Sequence, residues 1–302
     1  MKIPLEKIAD STIKNAGVNL FVLRIDKIHP LISGNKWYKL KYNLEEAKRQ
    51  KKDTLLTLGG AFSNHISATA AAGKEFGFKT IGIIRGDELS ENGNPTLRFA
   101  NECGMKLHFV SREEYKNKKS SQLIHSIASS LTNFYLLPEG GTNSLAVKGC
   151  SEIISHINIP FDFVCCPVGT GGTIAGIISS LKVNQKAIGF SVLKDGGFLK
   201  NEIQKLLSPS APSPEGYINI QANCHFGGYA KHTPELFKFI SDFEKDNNIP
   251  LEQVYTGKMM FGIYDLIKKK YFPEDSTIIA IHTGGLQGKL SPSPSLPEGN
   301  GD

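Results

Sequence analysis

Short apolar runs alternate with amphipathic segments along nearly the whole 302-residue chain. Nearly continuous apolar runs, such as residues 54–58 and 161–168, are typical of strands buried on both faces of a sheet. The segments between such runs carry apolar residues at helical spacing, as Trp37, Leu40 and Leu44 do. This alternation predicts an α/β fold with mostly parallel sheets that are flanked by helices.

Capping and turn residues predict where several elements begin and end. We expect one helix to begin at Asn35, and an alanine-rich helix to run from about Asn64 to Phe76 with Gly77 as its stop. Pro95 is expected to open a further short helix. Other strands are predicted at residues 21–26, 79–84, 105–110, 133–137, 187–193, 217–221 and 277–281, and another helix around Leu123, Ile124 and Ile127.

Composition and charge narrow the class of protein. With 40% hydrophobic and 21% charged residues, the chain is typical of a soluble globular protein. No apolar run approaches the roughly 18 residues of a membrane span, and the N-terminus lacks the apolar segment of a signal peptide, so we expect a cytoplasmic protein. The charge of +6 comes from lysines on helix-like faces without interleaved aromatic residues, and the cysteines and histidines show no metal-ligand spacing. Neither a nucleic-acid site nor a metal site is predicted.

Lys36 follows a strand-like run and stands at the expected start of a helix. The free N–H groups and the positive dipole end of a helix disfavour a cation at this place. A lysine that is pushed toward its neutral amine is the nucleophile that Schiff-base chemistry needs. Lys36 is therefore a candidate for covalent bonding to a carbonyl group.

Residues 169–173, Gly-Thr-Gly-Gly-Thr, lie between a buried strand pattern and a helix. The backbone N–H groups of such a turn can surround a phosphate. The spacing matches neither a Walker A loop nor the dinucleotide-binding fingerprint. Taken alone, the segment is as consistent with a simple tight turn as with phosphate binding. Together with a reactive lysine, however, a phosphate-binding turn indicates pyridoxal phosphate.

Several polar residues near glycines gain meaning only in combination. Ser63 or Asn64 can simply cap the following helix, although the glycines before them also bring the backbone close to any ligand at the edge of the sheet. His65 alone is weak evidence for catalysis. Tyr229 and Tyr255 stand where tyrosines are often only half-buried packing residues.

The chain carries six motifs in order: Ser-Gly-Asn-Lys-x-x-Lys-Leu at 33–40, Gly-Gly-x-x-Ser-Asn-His at 59–65, Gly-Thr-Gly-Gly-Thr at 169–173, Gly-Tyr-x3-Thr-Pro-Glu at 228–235, Val-Tyr-Thr-Gly-Lys at 254–258 and His-Thr-Gly-Gly at 282–285. Together they resemble the 1-aminocyclopropane-1-carboxylate (ACC) deaminase/D-cysteine desulfhydrase family, whose members are pyridoxal-phosphate enzymes with the tryptophan-synthase β-subunit fold. The resemblance runs from about residue 20 to residue 288. It implies a two-domain α/β fold, pyridoxal 5′-phosphate as cofactor, a small amino-acid substrate and a homodimer.

The resemblance implies a role for each matching position. Lys36 matches the lysine that holds the cofactor and moves the substrate proton. Asn64 matches the residue that hydrogen-bonds the cofactor's ring oxygen and also faces the substrate, and Ser63 and His65 lie where the substrate carboxylate is held. The other implied residues are Gly169, Thr170, Gly171, Gly172 and Thr173 around the phosphate with Lys39 assisting, Thr283 beside the cofactor, and Tyr229, Tyr255 and Thr256 near the substrate. Lys36, Ser63, Tyr229 and Tyr255 are the candidate catalytic residues.

Departures from the family pattern bear on the substrate. ACC deaminases carry glutamate after the second tyrosine and leucine after the late histidine, where this chain has Thr256 and Thr283. A neutral hydroxyl near the pyridine nitrogen weakens the electron sink, so we predict D-cysteine desulfhydrase-like β-elimination to pyruvate, ammonia and sulfide. ACC deamination to 2-oxobutanoate and ammonia stays open as an alternative, as does a non-catalytic phosphate-ligand binder. Phe226 and Ala230 also depart from the Gly-Pro-Gly-Tyr-Gly-like turn that is common in the family.

The implied fold divides the chain into two domains. Residues 1–48 and 149–289 are expected to form a large cofactor-binding domain. Residues 49–148 are expected to form a small mobile domain, whose 63–65 turn closes over the substrate. Residues 290–302 read as a low-complexity tail.

Overall fold

A computed structural model of the protein describes residues 2–116, 133–207 and 218–289. Outside these residues lie the predicted helix around Leu123, Ile124 and Ile127, position 217 of a predicted strand, and the predicted tail at 290–302.

The strands fall close to where the apolar runs predict them. One strand was not predicted, since Leu5-Glu6-Lys7-Ile8 shows no period-two alternation of apolar residues. The strands of the described residues are β1 (Leu5–Ile8), β2 (Asn19–Leu23), β3 (Thr54–Gly60), β4 (Lys79–Arg85), β5 (Met105–Val110), β6 (Phe134–Leu137), β7 (Phe163–Val168), β8 (Lys186–Ser191), β9 (Ile218–Gln221) and β10 (Thr277–Ile281).

Helices lie between most of these strands, and none of the described ones is long and apolar enough to cross a membrane. The α-helices are α1 (Ser11–Asn15), α2 (Asn35–Arg49), α3 (Asn64–Phe76), α4 (Pro95–Glu102), α5 (Arg112–Lys116), α6 (Ser144–Ser151), α7 (Gly172–Ile178), α8 (Leu199–Leu206), α9 (Pro234–Asn247) and α10 (Thr256–Lys268). Short 3-10 helices cover Ile25–Lys27, Glu139–Gly141, Glu152–His156, Gly196–Phe198 and Leu286–Gly288.

The predicted helix ends are confirmed. Helix α2 begins at Asn35, and α4 begins at Pro95 behind the side-chain cap of Asn94. Helix α3 ends at Gly77, whose φ of 77° is in the left-handed region that favours glycine.

The described strands form two sheets. The larger sheet has the order β1-β2-β10-β7-β8-β9, and the smaller has the order β5-β4-β3-β6. All pairs are parallel except β1 with β2, which is antiparallel at the edge of the larger sheet. The mostly parallel α/β fold is therefore confirmed. The larger sheet combines strands from both chain ends, and the smaller sheet lies within the predicted insertion. The domain boundaries and the closing motion stay predictions.

Hydrophobic clusters cover both faces of the larger sheet. Adjacent residues of β7 point in opposite directions: Cys165 packs with Leu20 and Ile278, whereas Cys166 packs with Ile279 on the other side. Both cysteines are fully buried free thiols, so their interpretation as packing residues is confirmed. Burial of near-continuous apolar strands on two faces is what fixes the sheet in the interior.

Helix α2, which carries the candidate lysines, packs closely on α6. An ideal Cβ on Gly149 of α6 would lie 1.9 Å from the carbonyl oxygen of Tyr38 in α2. The two helix backbones therefore touch at a position where no side chain fits.

We expect Gly149→Ala to lower the free energy of unfolding by about 2 kcal/mol or more, because the new methyl group must push α2 and α6 apart. The control is Gly197→Ala, since a Cβ on Gly197 meets nothing within 4 Å and its backbone needs no positive φ. Urea unfolding measures both changes. Equal stability of the two variants would contradict the proposed contact.

Candidate active site

The carboxyl ends of strands from both sheets meet around one cavity, which is where parallel α/β proteins place their ligands. It contains most of the side chains that the sequence singled out: Lys36, Lys39, Ser63, Asn64, His65, Gly169, Thr170, Gly171, Thr173, Tyr255 and Thr283 all line it. Within the described part of the chain, Tyr229, Gly172 and Thr256 are not part of this lining.

The start of α2 is held against the loop that follows β10. Gly34 has φ 64°, and an ideal Cβ on it would lie 2.0 Å from the carbonyl oxygen of Thr283. The Asn35 backbone N–H donates to that same carbonyl oxygen at 3.2 Å. Position 34 therefore requires a glycine. The loop after β10 fixes the start of α2 and with it the position of Lys36.

Lys36 is half-buried, and its Nζ donates to Oδ1 of Asn35 at 3.1 Å. The Asn35 amide in turn donates to the Thr173 hydroxyl at 2.8 Å. Burial and, to a smaller extent, the neighbouring charge of Lys39 together lower the pKa of Lys36 from 10.5 to about 7. The depressed pKa agrees with the expected neutral amine, but its causes are burial and a second amine.

Lys39 is fully buried and bridges two loops. Its Nζ donates to the Gly140 carbonyl at 2.9 Å, to the Thr142 hydroxyl at 3.1 Å and to the Thr170 hydroxyl at 3.4 Å. The two threonine hydroxyls are themselves 2.6 Å apart. Sequence reasoning missed Gly140 and Thr142, although a Gly-Gly-Thr that begins three residues after the end of strand β6 is the same kind of signal as the other glycine turns.

The 169–173 turn is constrained by packing as well as open to the cavity. Gly171 has φ 83°, and a Cβ on Gly172 would lie 2.8 Å from the Thr142 methyl group. The first N–H groups of α7 have no partner within the helix. The two interpretations left open by the sequence are thus compatible, since a tight turn also presents N–H donors to an anion.

Ser63 caps α3, as one of the two interpretations of this turn predicts. Its Oγ accepts from the backbone N–H groups of His65 at 3.3 Å and Ile66 at 3.4 Å. Asn64 Oδ1 accepts from Nε2 of Gln287 at 2.8 Å. Gln287 was not predicted, and nothing in its local sequence distinguishes it from a surface glutamine.

His65 is buried in one defined tautomer. The Thr57 hydroxyl donates to the Leu137 carbonyl at 3.0 Å, so its lone pair accepts from His65 Nε2, 2.8 Å away. Nδ1 of His65 is then an acceptor, and it has no hydrogen-bond partner in the described residues. Burial and the charges of Lys36 and Lys39 hold the pKa of His65 well below its usual value. A neutral acceptor nitrogen cannot donate to a carboxylate, so the His65 ring in this tautomer does not suit the implied carboxylate role.

The two candidate tyrosines lie edge to face, with ring centres 6.1 Å apart. Burial raises the pKa of both Tyr229 and Tyr255, so both hydroxyls stay protonated. Lys258 supports the loop that carries Tyr229, because its Nζ donates to the carbonyl oxygens of His225 and Gly228, each at 2.8 Å. Phe226 and Ala230, the departures from the family turn, have φ of 52° and 57°. Both non-glycine residues therefore adopt a backbone conformation that favours glycine.

Thr256 is fully buried behind Tyr255 at the start of α10. Its hydroxyl accepts from the Glu252 N–H at 3.0 Å and lies 3.2 Å from the Glu252 carboxylate. That carboxylate also accepts the N–H groups of Val254, Tyr255 and Thr256. Thr256 thus belongs to a helix cap, and Glu252, missed from the sequence, is a buried carboxyl group close behind it.

The loop with Thr283 rests on a buried ionic group. His282 contacts the Pro250 carbonyl at 2.6 Å and Asp26 at 3.3 Å, and Arg24 donates two hydrogen bonds to Asp26. These residues lie below the cavity and fix the backbone that carries Thr283.

The fold and the cavity define a class of enzyme, because a half-buried amine of lowered pKa shares one cavity with a turn whose backbone N–H and hydroxyl donors suit a phosphate. The family model described as pyridoxal-phosphate dependent enzyme matches residues 2–284. The chain belongs to this family and, within it, to the ACC deaminase/D-cysteine desulfhydrase group. It is a pyridoxal-phosphate-dependent lyase with the tryptophan-synthase β-like fold. The alternative of a non-catalytic phosphate-ligand binder is therefore wrong.

Relatives carry both of the activities that the sequence left open. The mitochondrial bifunctional D-cysteine desulfhydrase/1-aminocyclopropane-1-carboxylate deaminase of Arabidopsis thaliana is 32% identical over 297 residues, which cover 90% of this chain and 73% of the relative. A D-cysteine desulfhydrase of Yersinia pestis is 27% identical and covers 97% of this chain and 94% of its own length. A solved ACC deaminase homologue shares the fold with a TM-score of 0.82 at 24% identity, over 95% of this chain and 90% of its own.

A search of the described residues for three or more acidic, histidine or cysteine side chains able to hold a metal ion finds no such group. The residues that line the cavity suit a phosphate-bearing aldehyde, because they combine a neutral amine with N–H and hydroxyl donors.

We expect the stability advantage of wild type over Lys36→Met to rise from pH 7 to pH 9.5 in protein freed of cofactor. The pKa of Lys36 falls from 10.5 to about 7 on folding, so between these values the unfolded chain binds a proton that the folded chain lacks. Stability then increases with pH. Urea midpoints of both proteins at several pH values measure this difference. Parallel pH curves would show that Lys36 titrates normally.

Proposed function

We propose that the protein catalyses pyridoxal-phosphate-dependent β-elimination from a small amino acid, in the manner of a D-cysteine desulfhydrase. The products would be pyruvate, ammonia and, from D-cysteine, sulfide. The observation that carries the proposal is the position of Lys36: a half-buried amine with a pKa of about 7, in one cavity with the 169–173 turn and Tyr255.

The same cavity suggests which residues hold the cofactor. Lys36 would bond its aldehyde carbon, and the N–H groups of the 169–173 turn with the Thr170 and Thr173 hydroxyls would hold its phosphate. Lys39 contacts Thr170 at 3.4 Å, so its charge would stabilise the phosphate through that loop. Asn64 and Thr283 line the same cavity on the side of α3 and of the loop after β10.

The proposed reaction uses the chain's residues for binding and proton transfer. Bound pyridoxal phosphate supplies an electron-withdrawing ring that stabilises negative charge on the substrate's α-carbon. The Ser63 turn would hold the substrate carboxylate. The neutral Lys36 amine would then take the α-proton. The protonated hydroxyl of Tyr255, which lines the cavity, would donate a hydrogen bond or a proton to the departing β-substituent, and Tyr229 packs edge to face against the Tyr255 ring.

ACC deamination is the second candidate, and the name of the bifunctional Arabidopsis thaliana relative favours it. Against it stands Thr283, a hydroxyl residue in the cavity lining where an apolar cyclopropane would be better served by leucine. Thr256 contributes less to this choice than its sequence position implies, because its hydroxyl is engaged by Glu252. We further propose a cytoplasmic homodimer, on the basis of the family expectation alone.

Protein loaded with pyridoxal phosphate should be yellow, and Lys36→Ala should lack the near-visible absorption band. Only a lysine bonded to the cofactor aldehyde gives that band, and Lys36 lines the cavity with a pKa lowered to about 7. Borohydride reduction and peptide mapping should find the cofactor on Lys36. A label on Lys39 or on Lys258 would refute the assignment.

Thr170→Val should weaken binding of pyridoxal phosphate about tenfold, since it removes one hydroxyl hydrogen bond to a charged group. Thr69→Val is the matched control, because the buried Thr69 hydroxyl has no hydrogen-bond partner in the described residues. Fluorescence titration with the cofactor gives both affinities. Unchanged affinity in a folded Thr170→Val protein would argue against a phosphate at this turn.

Wild-type enzyme should turn over D-cysteine with a higher kcat/KM than ACC. Thr283→Leu should shift this ratio toward ACC by making one wall of the cavity apolar, whereas Thr283→Ser should leave it close to that of wild type. Assays of 2-oxo acid and sulfide measure both substrates. If wild type prefers ACC, the argument from Thr283 is wrong, while the cofactor assignment stands.

A further inference from the structure

Arg85 ends strand β4 at the same sheet edge as the candidate active site. In the smaller sheet it stands directly beside Gly60 of β3. Its Nη2 atom would lie 3.9 Å from an ideal Cβ on Gly60. The Gly60 carbonyl accepts the Ser63 N–H at 3.0 Å, so the guanidinium lies against the turn that carries Ser63 and lines the cavity.

A second loop of the cavity flanks Arg85 on its other side. The guanidinium carbon lies 5.9 Å from the centre of the Tyr115 ring. The Tyr115 hydroxyl donates to Glu139 at 2.7 Å, and Glu139 directly precedes Gly140, whose carbonyl holds Lys39. Arg85 therefore stands between two loops that both reach into the cavity.

Arg85 has no acidic partner within hydrogen-bonding or ion-pair distance among the described residues. Arg112, which follows the neighbouring strand β5, instead pairs with Glu88 at 2.5 Å. Arg85 is exposed beside the loops of the cavity and is not itself part of the cavity lining. An arginine whose fork of N–H donors is not bound to a carboxylate is suited to bind a carboxylate, sulfonate or phosphate.

The charge of Arg85 also reaches the tyrosines of the site. Burial raises the pKa of Tyr229, and the positive charge of Arg85 opposes that rise. Tyr229 in turn lies edge to face with Tyr255 of the cavity lining. The guanidinium thus belongs to the same electrostatic surroundings as the tyrosines.

We propose that Arg85 determines specificity for amino acids that carry a second, anionic group on the β-carbon. This inference rests on the proposed function and names its substrate class. The α-carboxylate would occupy the Ser63 turn, and the second anion would bind the Arg85 guanidinium. D-cysteine would still be a substrate, but Arg85 would add nothing to its affinity, because its thiol is neutral.

A β-substituent of this kind leaves without any added oxidant or reductant. In 3-sulfoalanine the Cα–H bond breaks and its electron pair forms the Cα–Cβ double bond. The Cβ–S bond breaks, and its electron pair leaves with sulfite. Water then hydrolyses the remaining enamine to pyruvate and ammonium, so that the carbon skeleton undergoes no external oxidation.

Aspartate and asparagine form a matched pair of probes, because they differ in the charge of the β-substituent and hardly in its size. Cofactor-loaded wild-type protein should bind aspartate about tenfold more tightly than asparagine in spectral titrations of at least one enantiomer. Arg85→Met should bring this ratio close to one with asparagine affinity unchanged, and Arg85→Lys should keep part of it. Arg112→Met, an arginine in an ion pair near the same sheet edge, should leave the ratio as in wild type.

Two results of the binding experiment would overturn the inference. If Arg85→Met retains the wild-type ratio, the guanidinium does not contact the side-chain anion. If it weakens aspartate and asparagine equally, Arg85 serves the α-carboxylate and not specificity.

Turnover measurements distinguish a failure of this inference from a failure of the proposed function. Arg85→Met should lose activity on 3-sulfoalanine at least about tenfold more than on neutral 3-chloroalanine. Equal losses on the two substrates would contradict the role of Arg85. A wild-type enzyme that releases no pyruvate from 3-chloroalanine would instead contradict the proposed β-elimination, whatever the aspartate-to-asparagine ratio shows.

Discussion

Two lysines share one poorly hydrated cavity, and the arrangement of the site follows from that constraint. Lys36 and Lys39 repel each other, and burial withholds the water that would otherwise stabilise their charges. The groups that surround them are neutral acceptors: the Asn35 amide, the Gly140 carbonyl and threonine hydroxyls. A carboxylate in their place would restore the charge of Lys36 and remove its nucleophilicity. The neutral surroundings keep the amine reactive and leave the positive charge of Lys39 available for an anion.

Close backbone contacts hold these groups in place. Gly34 touches the Thr283 carbonyl, Gly149 touches the Tyr38 carbonyl, and Gly172 packs on Thr142. At each contact a side chain would force two loops or helices apart. These glycines therefore define the distances between the lysines, the phosphate turn and the loop after β10, even though they offer no side-chain chemistry.

Much of this arrangement could be predicted from local sequence. The apolar runs located nearly all described strands, and Asn35, Gly77 and Pro95 marked helix ends, because strand burial and helix capping depend on neighbouring residues. The ordered glycine motifs follow strands of both sheets, so that Lys36, the 169–173 turn and the Ser63 turn could be expected at the carboxyl ends of parallel strands, where ligands bind.

Other parts of the site depend on contacts between distant residues. The tautomer of His65 is set by the Thr57 hydroxyl, which donates to the Leu137 carbonyl in another strand and therefore accepts from His65. Glu252 and Lys258 support the active-site tyrosines from positions that look like ordinary charged residues in the sequence. Thr256 illustrates the same limit: its place in the motif implied contact with a ligand, whereas its hydroxyl completes a helix cap. No local pattern distinguishes a buried charge with partners from one on the surface.

The strand order of the larger sheet has a consequence for the sequence of events during protein synthesis. Strand β10 lies between β2 and β7, although it is the last described strand along the chain. The ribosome therefore synthesises β2 and the helix with Lys36 long before it synthesises β10, the parallel neighbour of β2 in the sheet. The loop after β10 also supplies the carbonyl that receives Gly34 and Asn35. The nascent enzyme can consequently form its smaller sheet early, but it assembles the lysine site only after β10 and the loop behind it have been synthesised.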